Sequence, residues 1–263
     1  MTWWLVPLAI VVGVVMGALG GGGAIVTTPV LVYLAGQAPG AAMVGSLIVV
    51  SVTAIAGIVG HWRAGHVRAV EGVEFSLLGT VGAIVGSLLS MRVPEDVLMI
   101  LFGALLLMVS ALMAKRFLRP GASRSADPPP PVFERRPFRV NLRQLLLVAL
   151  TATGVGFLTG FFGVGGGFAV VPALVMVLGF SMPQAVATSL LVILLNSLVS
   201  LGTRLTAAQD IDWLLIGSFS VLAAGGAILG GRLSRRLPAR TLGLGFAALL
   251  AVVAVAILAQ NLL

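Results

Sequence analysis

Residues Gly17–Pro29 read GALGGGGAIVTTP, and residues Gly160–Pro172 read GFFGVGGGFAVVP. At a spacing of 143 residues, Gly17, Gly20, Gly22, Gly23 and Pro29 fall on Gly160, Gly163, Gly165, Gly166 and Pro172. The same spacing carries outward to pair Gly36 with Gly179, Ala42 with Ala185 and Ser46 with Ser189. Further on it becomes 144, pairing Gly82 with Gly226, Gly86 with Gly230 and Pro94 with Pro238. Matched Gly and Pro at one spacing are much harder to obtain by chance than matched Leu or Val. The chain is therefore read as one unit written twice, each copy opened by a glycine-rich break.

The solvent of this unit is not water. The 263 residues are 59% hydrophobic and only 9% charged, against about 25% charged for a soluble domain. Apolar stretches long enough to cross a bilayer occupy Ala41–Gly60, Phe75–Met91, Val97–Ala114, Leu145–Phe162, Ala185–Leu201, Leu214–Leu229 and Leu242–Leu263. No Lys or Arg precedes the first apolar run, so the N-terminus reads as a membrane segment rather than a secretory signal. The chain has no cysteine, which excludes disulfides, zinc–thiolate sites, iron–sulfur clusters and thiol nucleophiles. Its net charge of +8 sits in short loops between apolar segments, where topology explains it before any ligand does.

Those charges set an orientation. The basic segments are His61–Arg68, Lys115–Arg143 and Arg232–Arg240, whereas Arg92–Asp96 and Arg204–Asp212 each carry one Arg against two acids. The positive-inside bias puts the first three in the cytoplasm. From Arg143 to Arg232 the chain must then cross an even number of times. The helices around Ala185–Thr203 and Trp213–Gly231 supply two crossings, so the glycine-broken segment Gln144–Phe180 enters and leaves on one side. Its glycines are poor helix formers, and non-helical backbone survives at membrane depth only where protein or a water-filled cavity meets it. The expected fold is an all-α polytopic membrane protein of two inverted repeats, each a glycine-broken re-entrant hairpin plus three transmembrane helices. Residues 1–114 form the first repeat, 115–143 a basic, Pro-rich cytoplasmic linker containing Pro128–Pro131, and 144–263 the second repeat. As a regulatory or docking loop the linker is outweighed by its plainer role as an extended tether.

Chemistry concentrates at the breaks. Unwound backbone exposes amide N–H groups, and the half-helix after each break presents a partly positive N-terminus suited to an anion. The competing role for glycine in membrane helices is close helix crossing. Neither break is followed by Lys-Ser/Thr as a P-loop would be. Among polar residues in the apolar segments, a back-bond to the residue's own helix is the default for Ser and Thr. Ser46 and Ser189 stand out as repeat-equivalent, and Asn196 as the costliest to bury, so it needs a partner. Glu71, Glu74, Asp210 and Asp212 lie at segment ends, as solvated faces do. His61 and His66 flank a basic loop; imidazole is the side chain suited to proton coupling, but loop histidines are usually incidental. No carboxylate dyad, triad or metal-ligand cluster is apparent, which counts against an intramembrane enzyme.

The pattern GALGGGGAIVTTPVLVYL…AAMVGSL, with its second copy GFFGVGGGFAVVPALVMVLG…AVATSLLV, resembles the sulfite exporter TauE/SafE family over nearly the whole chain outside the linker. The resemblance implies a transporter of sulfur-containing anions such as sulfite, sulfonates or sulfoacetate. By matching motif it gives a binding role to Gly22, Gly23, Gly165, Gly166, Ser46 and Ser189; Asn196 joins them from its own chemistry. The first break departs in having Gly21 where the second has Val164, so the half-sites need not be equal. The expected function is a secondary transporter, an exporter by analogy, in a bacterial inner membrane. It needs no cofactor or metal. Its partners are a small anionic substrate and the lipid bilayer, with no nucleic acid and with homo-oligomerisation left open. An anion channel and a non-transporting scaffold or assembly factor are the rivals. Inverted repeats put both termini outside, so a reporter active only in the cytoplasm, fused after Leu263, is expected to be silent; strong activity there overturns the inverted scheme.

Overall fold

The computed structural model describes residues 5–118, 133–135, 138–140, 142–162, 167–204 and 211–262. The first copy runs α1 (Leu5–Leu19), α2 (Gly22–Pro29) with a π-helical turn (Val30–Leu34), α3 (Pro39–Arg63), α4 (Ala69–Ser90) and α5 (Glu95–Leu118). The second runs α6 (Leu142–Phe162), α7 (Gly167–Met176), α8 (Met182–Arg204), α9 (Trp213–Arg236) and α10 (Ala239–Leu262). Between them, β1 (Phe133–Arg135) and β2 (Phe138–Val140) pair antiparallel, with Glu134 opposite Arg139. Apart from that hairpin the described elements are helical. α5 carries on to Leu118, past the expected start of the linker at Lys115, and Pro128–Pro131 lie outside the described residues.

Seven of the helices are long and apolar enough to cross a membrane, and they fall on the seven apolar stretches of the sequence. The chain is thus a polytopic helical membrane protein. Two shorter apolar helices, Leu5–Leu19 and Gly167–Met176, flank the breaks. The segment before the second break is longer than a half-helix. The 21 residues of α6 extend roughly 31 Å at 1.5 Å per residue.

The copies are built alike in backbone detail. Gly36 (φ 67°) and Gly179 (φ 71°) both end the arm after the break in the left-handed region. Beyond each, Gln37 N–H bonds the Leu31 carbonyl at 3.0 Å and Phe180 N–H bonds the Leu174 carbonyl at 2.9 Å. These are equivalent closures that span six positions, one wider than a Schellman bond, and each needs a left-handed Gly just past the helix end.

The copies do not fold side by side; they interlock. α1 packs on α9, and its equivalent α6 packs on α4. A Cβ on Gly13 or Gly17 would run into the carbonyls of Ala223 and Ala227, and one on Gly226 or Gly230 into those of Ile10 and Val14. In the other seam a Cβ on Gly156 or Gly160 would strike Gly79 and Ala83, and one on Gly82 or Gly86 would strike Thr153 and Phe157. Two such glycines four residues apart let helix backbones touch, which is how membrane helices gain packing without a hydrophobic drive. So Gly17, Gly82, Gly86 and their copies, read from sequence as marks of duplication, are seam residues.

Contact order gives helix directions. Along α4, Gly79 meets Ala152, Gly82 meets Thr153 and Gly86 meets Phe157, so α4 and α6 run parallel. Gly72 meets Leu191, and Ser76 bonds Asn196, so α4 and α8 run parallel too. By the same test α1 and α3 both run parallel to α9, since Gly13 meets Ala223, Gly17 meets Ala227, Gly45 meets Ile216 and His61 faces Gly231. α5 and α10 run antiparallel, with Gly103 against Leu258, Ser110 bonded to Ala247 and Gly243 against Phe117. The residues Gly167–Val175 of α7 are buried on every side, as expected of a helix apolar all round.

The seams carry a direct test. Gly82→Val and Gly226→Val are each expected to destabilise the purified protein by about 1–3 kcal/mol through overpacking. Gly154→Ala, where an added Cβ meets nothing within 4 Å, is expected to leave it unchanged or slightly more stable. Thermal melting in detergent, read by size-exclusion chromatography, compares the three.

Candidate functional site at the glycine breaks

The first break is a reversal of the backbone after α1. Gly20 N–H closes the last turn on the Met16 carbonyl at 2.8 Å, and Gly20 itself sits at φ 75°, where an L side chain is strained. Gly21 then caps α2, which begins at Gly22. The second break, Gly163–Gly166, lies outside the described residues, so Gly165 and Gly166 are not placed; α7 starts immediately after it at Gly167.

The structure brings the two breaks into contact. A Cβ on Gly21 would overlap the Gly167 carbonyl, and one on Gly167 would sit 2.6 Å from the Gly21 carbonyl. The starts of α2 and α7 therefore meet backbone to backbone. Gly22 and Gly23 open α2 at this junction. Across it, Ser189 Oγ occupies the space that a Gly20 side chain would need, with Val171 and Val186 beside it. Ser189 of the second copy thus borders the break of the first.

The other sequence-derived residues separate. Ser46 accepts a hydrogen bond from Thr28 Oγ1 at 3.0 Å, tying α3 to α2, and donates to the Met43 carbonyl at 2.8 Å. Ser189 donates to the Val186 carbonyl at 2.8 Å. Both hydroxyls therefore make the back-bond expected of ordinary helix serines, as Ser51 and Thr53 do with Leu47 and Val49. Half-buried Asn196 has the partner expected of it: its Oδ1 accepts from Ser76 Oγ at 2.6 Å. That bond joins α8 to α4 about 10 Å, two turns, along α8 from Ser189. A groove of about 530 Å³ lies elsewhere, on the outer face of α9 beside Trp213, Leu214 and Val221. Its wall is nearly all apolar, suiting acyl chains rather than an anion.

With this geometry in hand the likeness to known proteins has a meaning. The profile described as "Sulfite exporter TauE/SafE" matches residues 5–257, spanning both copies and both breaks. The chain belongs to this family. A "Probable membrane transporter protein" of Xylella fastidiosa is 36% identical over 231 residues, covering 87% of this chain and 83% of that one. "Probable membrane transporter protein YunE" of Bacillus subtilis is 27% identical over 252 residues, 90% of each chain. "Probable membrane transporter protein MJ0441" of Methanocaldococcus jannaschii is 29% identical over 218 residues, 78% of this chain and 74% of that one. No solved structure matches the chain. Family and fold together make this TauE/SafE protein a multi-pass membrane transporter.

One residue was undervalued in sequence. His61, in the last turn of α3, is only 1% exposed. Its Nε2 lies 3.3 Å from the Gly17 carbonyl. A sequence signal existed, since His61 continues the stripe of Val50, Ala54 and Gly57, spaced as an inward helix face is. Glu71, expected to be solvated, is also buried, paired with Arg68 at 3.2 Å.

The break predicts a coupled pair of variants. Gly20→Ala is expected to cost about 1–2 kcal/mol from the left-handed backbone alone, and more from overlap with Ser189. Adding Ser189→Ala should recover part of the loss, and a double-mutant cycle on melting should give a coupling of about 0.5–3 kcal/mol. Strict additivity counts against the contact.

Proposed function

We propose that this chain is a secondary transporter of a small anion, sulfite, a sulfonate or a related organic anion, exporting it across a bacterial inner membrane. The observation that carries the reading is the meeting of two helix starts at Gly21 and Gly167. Each start carries roughly half a positive charge and unpaired backbone N–H groups. Two like ends in contact repel, and an oxyanion between them relieves the repulsion and fills the donors. Gly22, Gly23, Gly165 and Gly166 supply N–H groups in this reading. Ser189 and Ser46 line the site once their hydroxyls turn from their own helices, and Asn196 anchors the α4–α8 side. No cofactor takes part.

The repeats are read as inverted. α6 and α8 run the same way, so the chain between their starts must return, which is what a re-entrant hairpin does; α1 and α3 behave alike. Each copy then holds one hairpin and three crossings, and corresponding helices of the two copies point oppositely. Broken helices at matching positions of inverted repeats form the usual transporter site. One repeat rocking on the other along the glycine seams would alternate access, with residues 115–143 as the cytoplasmic tether.

Proteoliposome flux is the test. Saturable movement of sulfite, isethionate or sulfoacetate, with counter-flow, is expected of the wild type. Gly22→Asp is expected to lower it by about tenfold or more, since a fixed carboxylate takes the place of the anion at the helix start. Unsaturable flux without counter-flow indicates a channel. No flux in the intact chain, with failure of its role in cells on deleting residues 121–131, indicates a scaffold, whereas a transporter largely keeps its flux on that deletion.

A further inference from the structure

His61 stands where the two copies meet, and its chemistry is unbalanced. Its ring lies among α1, α3 and α9: Nε2 is 3.3 Å from the Gly17 carbonyl of α1, and the backbone of Gly231 on α9 faces it. A carbonyl oxygen can only accept, so Nε2 carries the proton of that bond. Gly17 is among the last residues of α1, whose final carbonyls have no donor within the helix. His61 thus caps α1 three residues before the Gly20 reversal. The opposite nitrogen, Nδ1, then holds a lone pair; it is buried and has no hydrogen-bond partner.

Two basic side chains, His66 and Arg235, stand near this ring. His66, in the loop after α3, has its ring centroid 6.3 Å away, and its own Nδ1 is likewise buried without a partner. Arg235 of α9 reaches over with Nη1 3.5 Å from the Gly60 carbonyl. From α1 the ring meets the Gly17 carbonyl, already occupied. No carboxylate is bonded to the ring among the described residues. A proton arriving at Nδ1 would put an unpaired N–H and a charge in a buried position within the electrostatic reach of Arg235. An unpaired buried charge is among the costliest things a fold can hold. The inexpensive response is for α9 to part from α1 and α3, letting water reach the ring. Because α9 belongs to one copy and α1 and α3 to the other, parting them is the motion by which access would alternate.

We propose that His61 is the proton-binding residue of the transport cycle, and that a proton on its Nδ1 opens the seam between the copies on the basic side of the protein, coupling anion movement to a proton gradient. The consequence for flux rests on the transporter reading above; the opening of the seam does not.

The experiment uses two readouts on the full chain. The chain has no cysteine, so one can be placed at Ser234, which is 3% exposed on α9 one turn beyond Gly231. Its labelling rate with a methanethiosulfonate in nanodiscs is taken relative to a cysteine at exposed Arg92 on the opposite end. That ratio is expected to rise about tenfold from about pH 8 to about pH 5, the range in which an imidazole titrates. It should stay flat in His61→Gln, whose amide still donates to Gly17 but takes no proton. It should rise as before in His66→Gln. The second readout is isethionate, a sulfonate ionised at every pH used. A pH gradient is expected to drive its accumulation in wild-type proteoliposomes, while His61→Gln should exchange it without accumulation. A flat wild-type ratio overturns the proposal even if His61→Gln does not fold, as does a rise that survives in His61→Gln. A rise in the ratio with no movement of sulfite, isethionate or sulfoacetate upholds the proton-driven opening and sinks the sulfur-anion reading of the site. Flux that ignores the gradient, with a flat ratio, sinks the proton proposal alone.

Discussion

Two helices that begin at the same point, in a chain whose long helices are apolar enough to cross a membrane, are an electrostatic problem that the rest of the fold has to contain. The start of α2 at Gly22 and the start of α7 at Gly167 are held together by the backbone contact of Gly21 with Gly167. In hydrocarbon no solvent is available to screen the like ends or to take up their free N–H groups. The junction is tolerable because protein surrounds it. The buried residues of α7 cover one side, and Ser189, Val171 and Val186 fill the space beside Gly20. In the proposed reading, an anion is the ligand whose charge would turn this cost into affinity.

The glycine seams explain how the junction is enclosed. α1 packs mainly along α9 of the other copy, and α6 mainly along α4. Each copy therefore closes the other, and neither has a finished core alone. Gly13 and Gly17 against Gly226 and Gly230, and Gly79 and Gly156 in the matching seam, leave the touching surfaces without side chains that interlock. Such surfaces bind through close backbone contact, yet offer few ridges against sliding. A seam of this kind can be tight in two positions, which a transporter working by movement of one copy on the other requires.

How much of this was legible follows from what each signal depends on. The seven long helices were, because an apolar run of that length is a local property of sequence. So was the duplication, because Gly36 and Gly179 must recur wherever the same left-handed helix end recurs. The seams were only half legible. The sequence displayed Gly82 and Gly226 as equivalent without saying what they touch, because α4 pairing with α6 rather than α5 is a tertiary fact. Asn196 was expected to have a partner, and it does, but Ser76 is separated from it by 120 residues. Ser46 and Ser189 were singled out by symmetry. The structure keeps Ser189 at the break but turns both hydroxyls onto their own helices, a local competition that periodicity does not reveal. His61 was discounted because a histidine beside a basic loop resembles solvated surface, and only the arrival of α1 and α9 buries it.

The departures from symmetry bear on direction. A perfectly duplicated carrier would respond equally from either face. The first break has Gly21 where the second has Val164, and 143 residues on from His61 the second copy has Arg204. Arginine has no neutral form at accessible pH, so the position that can gain or lose a proton in one copy carries a fixed charge in the other. If proton binding at His61 opens one side, nothing equivalent opens the other in the same way. On the proposed readings the two faces then differ in what controls them: the basic face follows pH, and the opposite face follows the occupancy of an anion site between Gly21 and Gly167. Two gates answering to two different ligands are the minimum needed to tie the movement of an anion to the movement of a proton, because a gate that answered to neither would let each leak alone.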